Sequence, residues 1–174
     1  MRKTKAKEEN EKIILAGQFI FKILIFFAFF NLIISLLAVI SIQEFYAQLT
    51  LSILNALGFS GEIIFGNPVL VQLDVFNIPL GFTYLCTGLL ELSFLLSAIL
   101  ATPNKSECEK VLGLALGIVV LFVFNLVRII ASVLAIYYIN QDAGIFSHDI
   151  LFRVSLIFVI TAYYYYWINK KVKL

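Results

Sequence analysis

The chain has 174 residues, 61% of them hydrophobic, with a mean hydropathy of +0.99. A soluble domain is about 45–50% apolar; so short a chain has no core large enough to hide this excess, which excludes an ordinary water-soluble globule and leaves lipid as the main solvent. The formal charge of +2 excludes little by its size, but the placement of the charges along the chain is informative.

Arg2, Lys3, Lys5, Lys7, Lys12 and Lys22 precede an apolar run over about 23–42. A bilayer core of about 30 Å takes roughly 20 helical residues, so this run reads as a first transmembrane helix. Its basic flank resembles that of a signal peptide. The run is too long for one and no small-residue cleavage site follows, so an uncleaved helix is expected.

A long polar-apolar segment comes next. Tyr46, Leu49, Ile53 and Leu57 recur at helical spacing among Gln43, Glu44, Gln48, Thr50, Ser52 and Asn55. That pattern predicts an amphipathic helix lying in the membrane interface. Glu62 to Phe65, the turn chemistry of Gly66-Asn67-Pro68, and the alternation of Val69, Val71, Leu73 and Val75 predict a small β-hairpin.

A second span is expected over about 85–101, stopped before Pro103, which disfavours helix in the residue ahead of it. A third covers about 111–139 and is interrupted by Arg128; a fourth covers about 150–168, with Arg153 near its start. Gly113 and Gly117 have the Gly-x-x-x-Gly spacing of a helix-packing seam. Tyr163 to Trp167 read as an interfacial aromatic belt.

Of the 13 Lys and Arg residues, all but Arg128 and Arg153 fall before the first span, between the second and third (Lys105 and Lys110), or after the fourth (Lys170, Lys171 and Lys173). Segments 41–84 and 140–149 hold none. The positive-inside rule then puts both termini and the 103–110 loop in the cytoplasm. The expected architecture is an all-α polytopic membrane protein, a single embedded domain over 1–174 with about four transmembrane helices, an outer amphipathic helix and a small β-hairpin.

This topology gathers the reactive side chains at the outer face. Cys86 opens the second helix. Arg128 lies 17 residues past Val111, roughly 25 Å along the helix from the inner edge. His148 ends the outer loop, and Arg153 sits about one turn into the fourth span. Singly, each has an ordinary reading: a small buried hydrophobe for Cys86, a snorkelling side chain for Arg128, a solvated loop residue for His148, an interface anchor for Arg153. Four such accidents at one depth are not expected, and ionisable groups inside a span usually mark function or pair with a partner.

The chemistry also agrees. Helix N-termini and nearby cations lower a thiol pKa. A His exchanges protons near neutral pH, and an Arg stabilises a thiolate or oxyanion where water is scarce. Together the groups suit acyl transfer through a thioester. Asn125, three residues before Arg128, shares its helix face and is a candidate for orienting the site. Glu91, inside the second span, reads first as a structural polar contact. Cys108 falls in the cytoplasmic loop and can neither join the site nor bridge to Cys86. No metal or cofactor is implied, because one His and two separated Cys make no recognisable metal site.

The sequence Tyr84-Leu85-Cys86-Thr87-Gly88 resembles the Cys-[Ser/Thr]-Gly motif of the exosortase/archaeosortase family. Asn125-Leu126-Val127-Arg128 resembles its Asn-x-x-Arg motif in the next helix, and His148 matches its third position. The resemblance covers about 81–153. It implies a multi-pass cysteine transpeptidase of the cell membrane with its site on the extracytoplasmic side. Such an enzyme cleaves C-terminal sorting signals of exported proteins, made of a short motif, a transmembrane helix and a basic tail, and passes the new C-terminus to a lipid or other acceptor. By position, Cys86 is the nucleophile, Arg128 the electrostatic stabiliser and His148 the acid/base. Some archaeal members carry Arg at the third position, which keeps Arg153 as a substitute. Many members have more spans, so this chain would be a minimal catalytic core.

A second reading is a non-enzymatic assembly or transport component of the membrane, held together by an intramembrane pair of Arg128 and Glu91. A thiol-redox enzyme would want two cysteines on one side. Metalloprotease and rhomboid-like serine protease signatures are missing, and no nucleic-acid partner is expected.

Overall fold

The computed structural model of the chain describes residues 2–37, 39–77, 79–103 and 105–170. Lys171 and Lys173 of the basic tail lie outside these residues. The elements run α1 (Arg2–Leu37), α2 (Val39–Ala56), β1 (Gly61–Ile64), β2 (Val69–Leu73), β3 (Leu80–Phe82), α3 (Leu89–Ala101), α4 (Glu107–Tyr138), α5 (Gln141–Phe146) and α6 (Phe152–Asn169).

Two described helices are long and apolar enough to cross a bilayer: α1, over Glu11–Ser35, and α4, over Glu107–Tyr138. α3 and α6 are shorter, at 13 and 18 residues. α1 leans on α3. There Phe27 meets Phe94 edge-on at 6.3 Å, and Asn31 Nδ2 donates to Ser93 Oγ at 3.2 Å. At the other end of the bundle α4 starts from a capping box. The Ser106 hydroxyl accepts from Glu109 N while the Glu109 carboxylate accepts from Ser106 N, satisfying donors that a helix start leaves open. The helix therefore begins at Glu107, four residues ahead of the expected span.

α3, α4 and α6 share one core built on Leu95, Ile99, Leu121, Leu156, Ile160 and Trp167. The Gly113 and Gly117 seam belongs to it. A side chain at Gly113 would collide with the Trp167 indole, and one at Gly117 would crowd Leu95 and Tyr163. Trp167 Nε1 donates to Glu109 O at 3.2 Å, and the Tyr163 hydroxyl donates to Gly113 O at 2.6 Å. The aromatic belt is thus divided. Tyr165 and Tyr166 are exposed, whereas Trp167 is buried against a surface that only glycine leaves open.

The expected hairpin is one part of a three-stranded antiparallel sheet, ordered β1-β2-β3. β2 pairs Val71 with Ile63 on one side and with Leu80 on the other. Val69, Val71 and Leu73 alternate onto the inner face and pack against Tyr46, Ala47 and Leu54 of α2 and Ile129 and Val133 of α4. β2 ends at Leu73, and Val75 is half-exposed in the following turn rather than in the strand.

The packing of the sheet corrects the expected face of α2. Its buried stripe is Gln43, Tyr46, Ala47, Thr50 and Leu54, while Leu57 is exposed. The apolar pattern misplaces the stripe because two polar residues lie inside it. With its amide oriented to suit its neighbours, Gln43 donates to Phe82 O at 3.3 Å and accepts from Tyr84 N at 3.1 Å. α2 is therefore a wall of the sheet core, clamped to the end of β3.

Candidate active site

Between β3 and α3 the chain makes a tight turn whose geometry follows from its sequence. Thr83 is extended, and residues Tyr84–Cys86 form one 3-10 turn. Cys86 N donates to Thr83 O at 2.9 Å, and the Thr87 hydroxyl donates to Tyr84 O at 2.7 Å. Gly88 then takes a left-handed conformation, φ +70°, before α3 begins. This reversal starts the helix at Leu89, later than the position near 85 that the apolar run predicts. Gly88 is required twice over: left-handed backbone favours glycine, and an added Cβ would lie 3.1 Å from Cγ of Asn125.

Asn125 uses the space that Gly88 leaves. Its Nδ2 donates to Cys86 O at 2.9 Å, and its Oδ1 accepts from Arg128 Nη1 at 3.2 Å. The Tyr46 hydroxyl stands near the same amide. Asn125 is 1% exposed and Arg128 is fully buried. Arg128 Nη2 lies 3.3 Å from Nε2 of His148. His148 is half-buried in the wide π-helical turn Ser147–Leu151 that joins α5 to α6. α5 is itself started by Asn140, whose Oδ1 accepts from Ala143 N at 2.7 Å.

His148 closes the cluster by hydrogen-bonding to the Cys86 thiol. The sulfur also lies 3.3 Å from Thr83 Oγ1 and 3.9 Å from Gly81 O. Cys86 sits outside α3, in the 3-10 turn, and is 9% exposed. Burial pushes its pKa up. The hydrogen bonds from His148 and Thr83 and the nearby imidazole charge outweigh that, and bring it down to about 7.

Cys86 and His148 open onto a cleft of about 700 Å³, within the size range of small-molecule and peptide pockets. One wall is β3 with the turn before it. The other is the face of α4 that carries Ile129, Ser132, Val133, Ile136 and Tyr137, extended by α5. Among the described residues that line it, only Cys86, His148 and Tyr137 are ionisable.

The structure therefore brings together Cys86, Asn125, Arg128 and His148 from three separate stretches of chain. It does not bring in Arg153, which is exposed at the start of α6 and does not line the cleft. Cys108 is an exposed free thiol in the first turn of α4, the end remote from the cleft, and Cys86 is likewise free. Glu91, in the first turn of α3, is not among the residues that line the cleft. Thr83, Tyr46 and Gln43 escape the sequence reading, since nothing in their local pattern sets them apart from other polar residues. Among the described residues, no three His, Cys, Asp or Glu stand close enough to hold a metal ion.

Neither a curated protein sequence nor a solved structure matches the chain. A family model described as transmembrane exosortase matches residues 14–167. That range covers most of the chain and contains every residue of the cluster, so the chain belongs to the transmembrane exosortase family and is a membrane protein.

Proposed function

We propose that this exosortase is a multi-pass cysteine transpeptidase of the cell membrane. It acts on exported proteins that carry a C-terminal motif, a transmembrane helix and a basic tail. On this reading the chain is one embedded domain with α1, α3, α4 and α6 as its spans. Its termini and the Lys105–Lys110 loop are cytoplasmic, by the placement of its basic residues. α3 is about 20 Å long, less than the roughly 30 Å hydrocarbon core, which leaves Cys86 recessed beneath the outer surface.

The observation that carries the proposal is the pairing of Cys86 with His148 at one cleft, with the buried Arg128 guanidinium 3.3 Å behind the imidazole. The Cys86 thiolate attacks the scissile carbonyl, forming a C–S bond and a tetrahedral oxyanion. Arg128, fully buried beside the site, offsets the developing negative charge. The C–N bond then breaks, and the leaving amine takes the former thiol proton, carried by His148. An acceptor hydroxyl or amine, from a lipid or another molecule, attacks the thioester, gives its proton to His148 and releases the thiolate. Asn125 holds the Cys86 carbonyl and the Arg128 guanidinium in register.

The test is Cys86→Ala in the native organism, with intact masses of exported membrane proteins as the readout. Substrates should keep their C-terminal tails in this variant and lose them in Cys108→Ala. Unchanged processing, with the variant present at normal level, would remove Cys86 as the nucleophile.

A further inference from the structure

We propose that the open edge of β3 holds the substrate as an added strand, with the backbone of Gly81 setting the scissile bond in register with Cys86. This rests on the peptidase reading above and adds to it how the polypeptide is gripped.

β3 is an edge strand, because the sheet order leaves it paired with β2 alone. Leu80 and Phe82 stand opposite Val71 and Val69, and Gly81 stands opposite Leu70. Along an antiparallel ladder, successive residues turn their N–H and C=O first toward the partner strand and then away from it. The Gly81 carbonyl is turned away from β2, because it lies 3.9 Å from the Cys86 sulfur. The Gly81 N–H follows it by the same alternation. Gly81 thus offers one donor and one acceptor to the cleft beside the nucleophile. Such a pair takes one residue of an incoming strand, and exposed sheet edges recruit extended peptides in this way.

The surroundings favour the same occupant. Gly81 is exposed and has no side chain to screen its backbone, whereas Phe82 is buried in the sheet core. The facing wall of α4, with Ile129, Val133 and Ile136, is apolar. The peptide is therefore extended, with uncharged, largely apolar side chains around the bond to be cut. Charged side chains there would be buried without a partner, which is costly.

Two experiments test the edge, both using the full chain in its native membrane. In the first, processing is compared between Gly81→Ala, which keeps the N–H, and Gly81→Pro, which removes it. An added Cβ at Gly81 meets only ordinary contacts, 3.6 Å to Leu70 and 3.9 Å to Pro68. The proline variant should process about tenfold more slowly than the alanine variant, while iodoacetamide labels Cys86 at a similar rate in both. Equal processing in the two would overturn the proposal. In the second, proline is walked through the residues of a processed protein just ahead of its cleavage point. Strand addition predicts losses at every second position, since only alternate residues face the edge; a flat or steadily graded profile would overturn it even if Gly81→Pro deformed the site. Processing that survives Cys86→Ala would instead sink the peptidase reading. Loss with Cys86→Ala but no Pro/Ala difference and no alternation would sink the edge alone.

Discussion

Replacing His148 with Ala tests whether the thiol is tuned by the groups seen around it. Burial alone would hold the Cys86 pKa high, and the hydrogen bond from His148 is the largest contribution bringing it down to about 7. Without the imidazole the thiol should return to at least the ordinary value of about 8.5. At pH 7 the ionised fraction then falls from about one half to about 3%, roughly a fifteenfold drop in the reactive form. The assay is the initial rate of iodoacetamide labelling at Cys86 from pH 5.5 to 9.5, followed by mass. It is run in a Cys108→Ser background because Cys108 is exposed. The sign follows from the depressed pKa: labelling of the unmodified site is half-maximal near pH 7, falls as the pH drops below it, and in His148→Ala is half-maximal more than one unit higher. A midpoint that does not move would show that His148 does not set the state of the thiol. A midpoint near 8.5 before any substitution would refute the reasoning at its start.

Other variants probe the remaining parts. Arg128→Lys keeps a charge but not the planar fork that reaches both Asn125 and His148; processing measured by intact mass should fall about a hundredfold or more, and near-normal turnover would exclude Arg128 as an oxyanion stabiliser. Gly88→Ala forces a left-handed alanine against Asn125 and should cost about 1–2 kcal/mol, read as a lowered melting temperature in nanodiscs; an unchanged melt would mean the turn relaxes freely. Gly113→Val overfills the α4–α6 seam at Trp167 and should cost about 1–3 kcal/mol; here the check is the combination of a lowered melt with unchanged pH dependence of Cys86 labelling, because the seam is remote from the thiol.

The candidate cluster is legible because helical arithmetic acts over long distances. The 17 residues from Val111 to Arg128, and the lack of Lys and Arg in segments 41–84 and 140–149, give the expected depth and side without any knowledge of contacts. What escapes is decided by tertiary partners. β3 is three residues long with glycine at its centre, which gives neither alternation nor β-branched bulk to detect. The buried stripe of α2 contains Gln43, a residue that only its bonds to Phe82 and Tyr84 make acceptable there. The choice between His148 and Arg153 depends on how the chain enters α6, and the short α5 with the π-helical turn after it turns His148 inward and leaves Arg153 outside. The glycine seam and the aromatic belt are visible as two weak signals far apart in the chain. They are the two sides of one contact, between Gly113 and Trp167.

The cleft climbs α4 from Ile129 to Tyr137, about 12 Å of helix axis. On the peptidase reading proposed above, that height is a reach requirement. A folded domain too wide for the cleft must stay above Tyr137, so the bond delivered to Cys86 has to hang below it on about four extended residues at 3.3 Å each. The minimum unstructured tether between an exported domain and its cut is then a property of this enzyme's architecture. On that reading, proteins whose last folded element ends closer to the cut than that should be shielded from processing however well their signal fits.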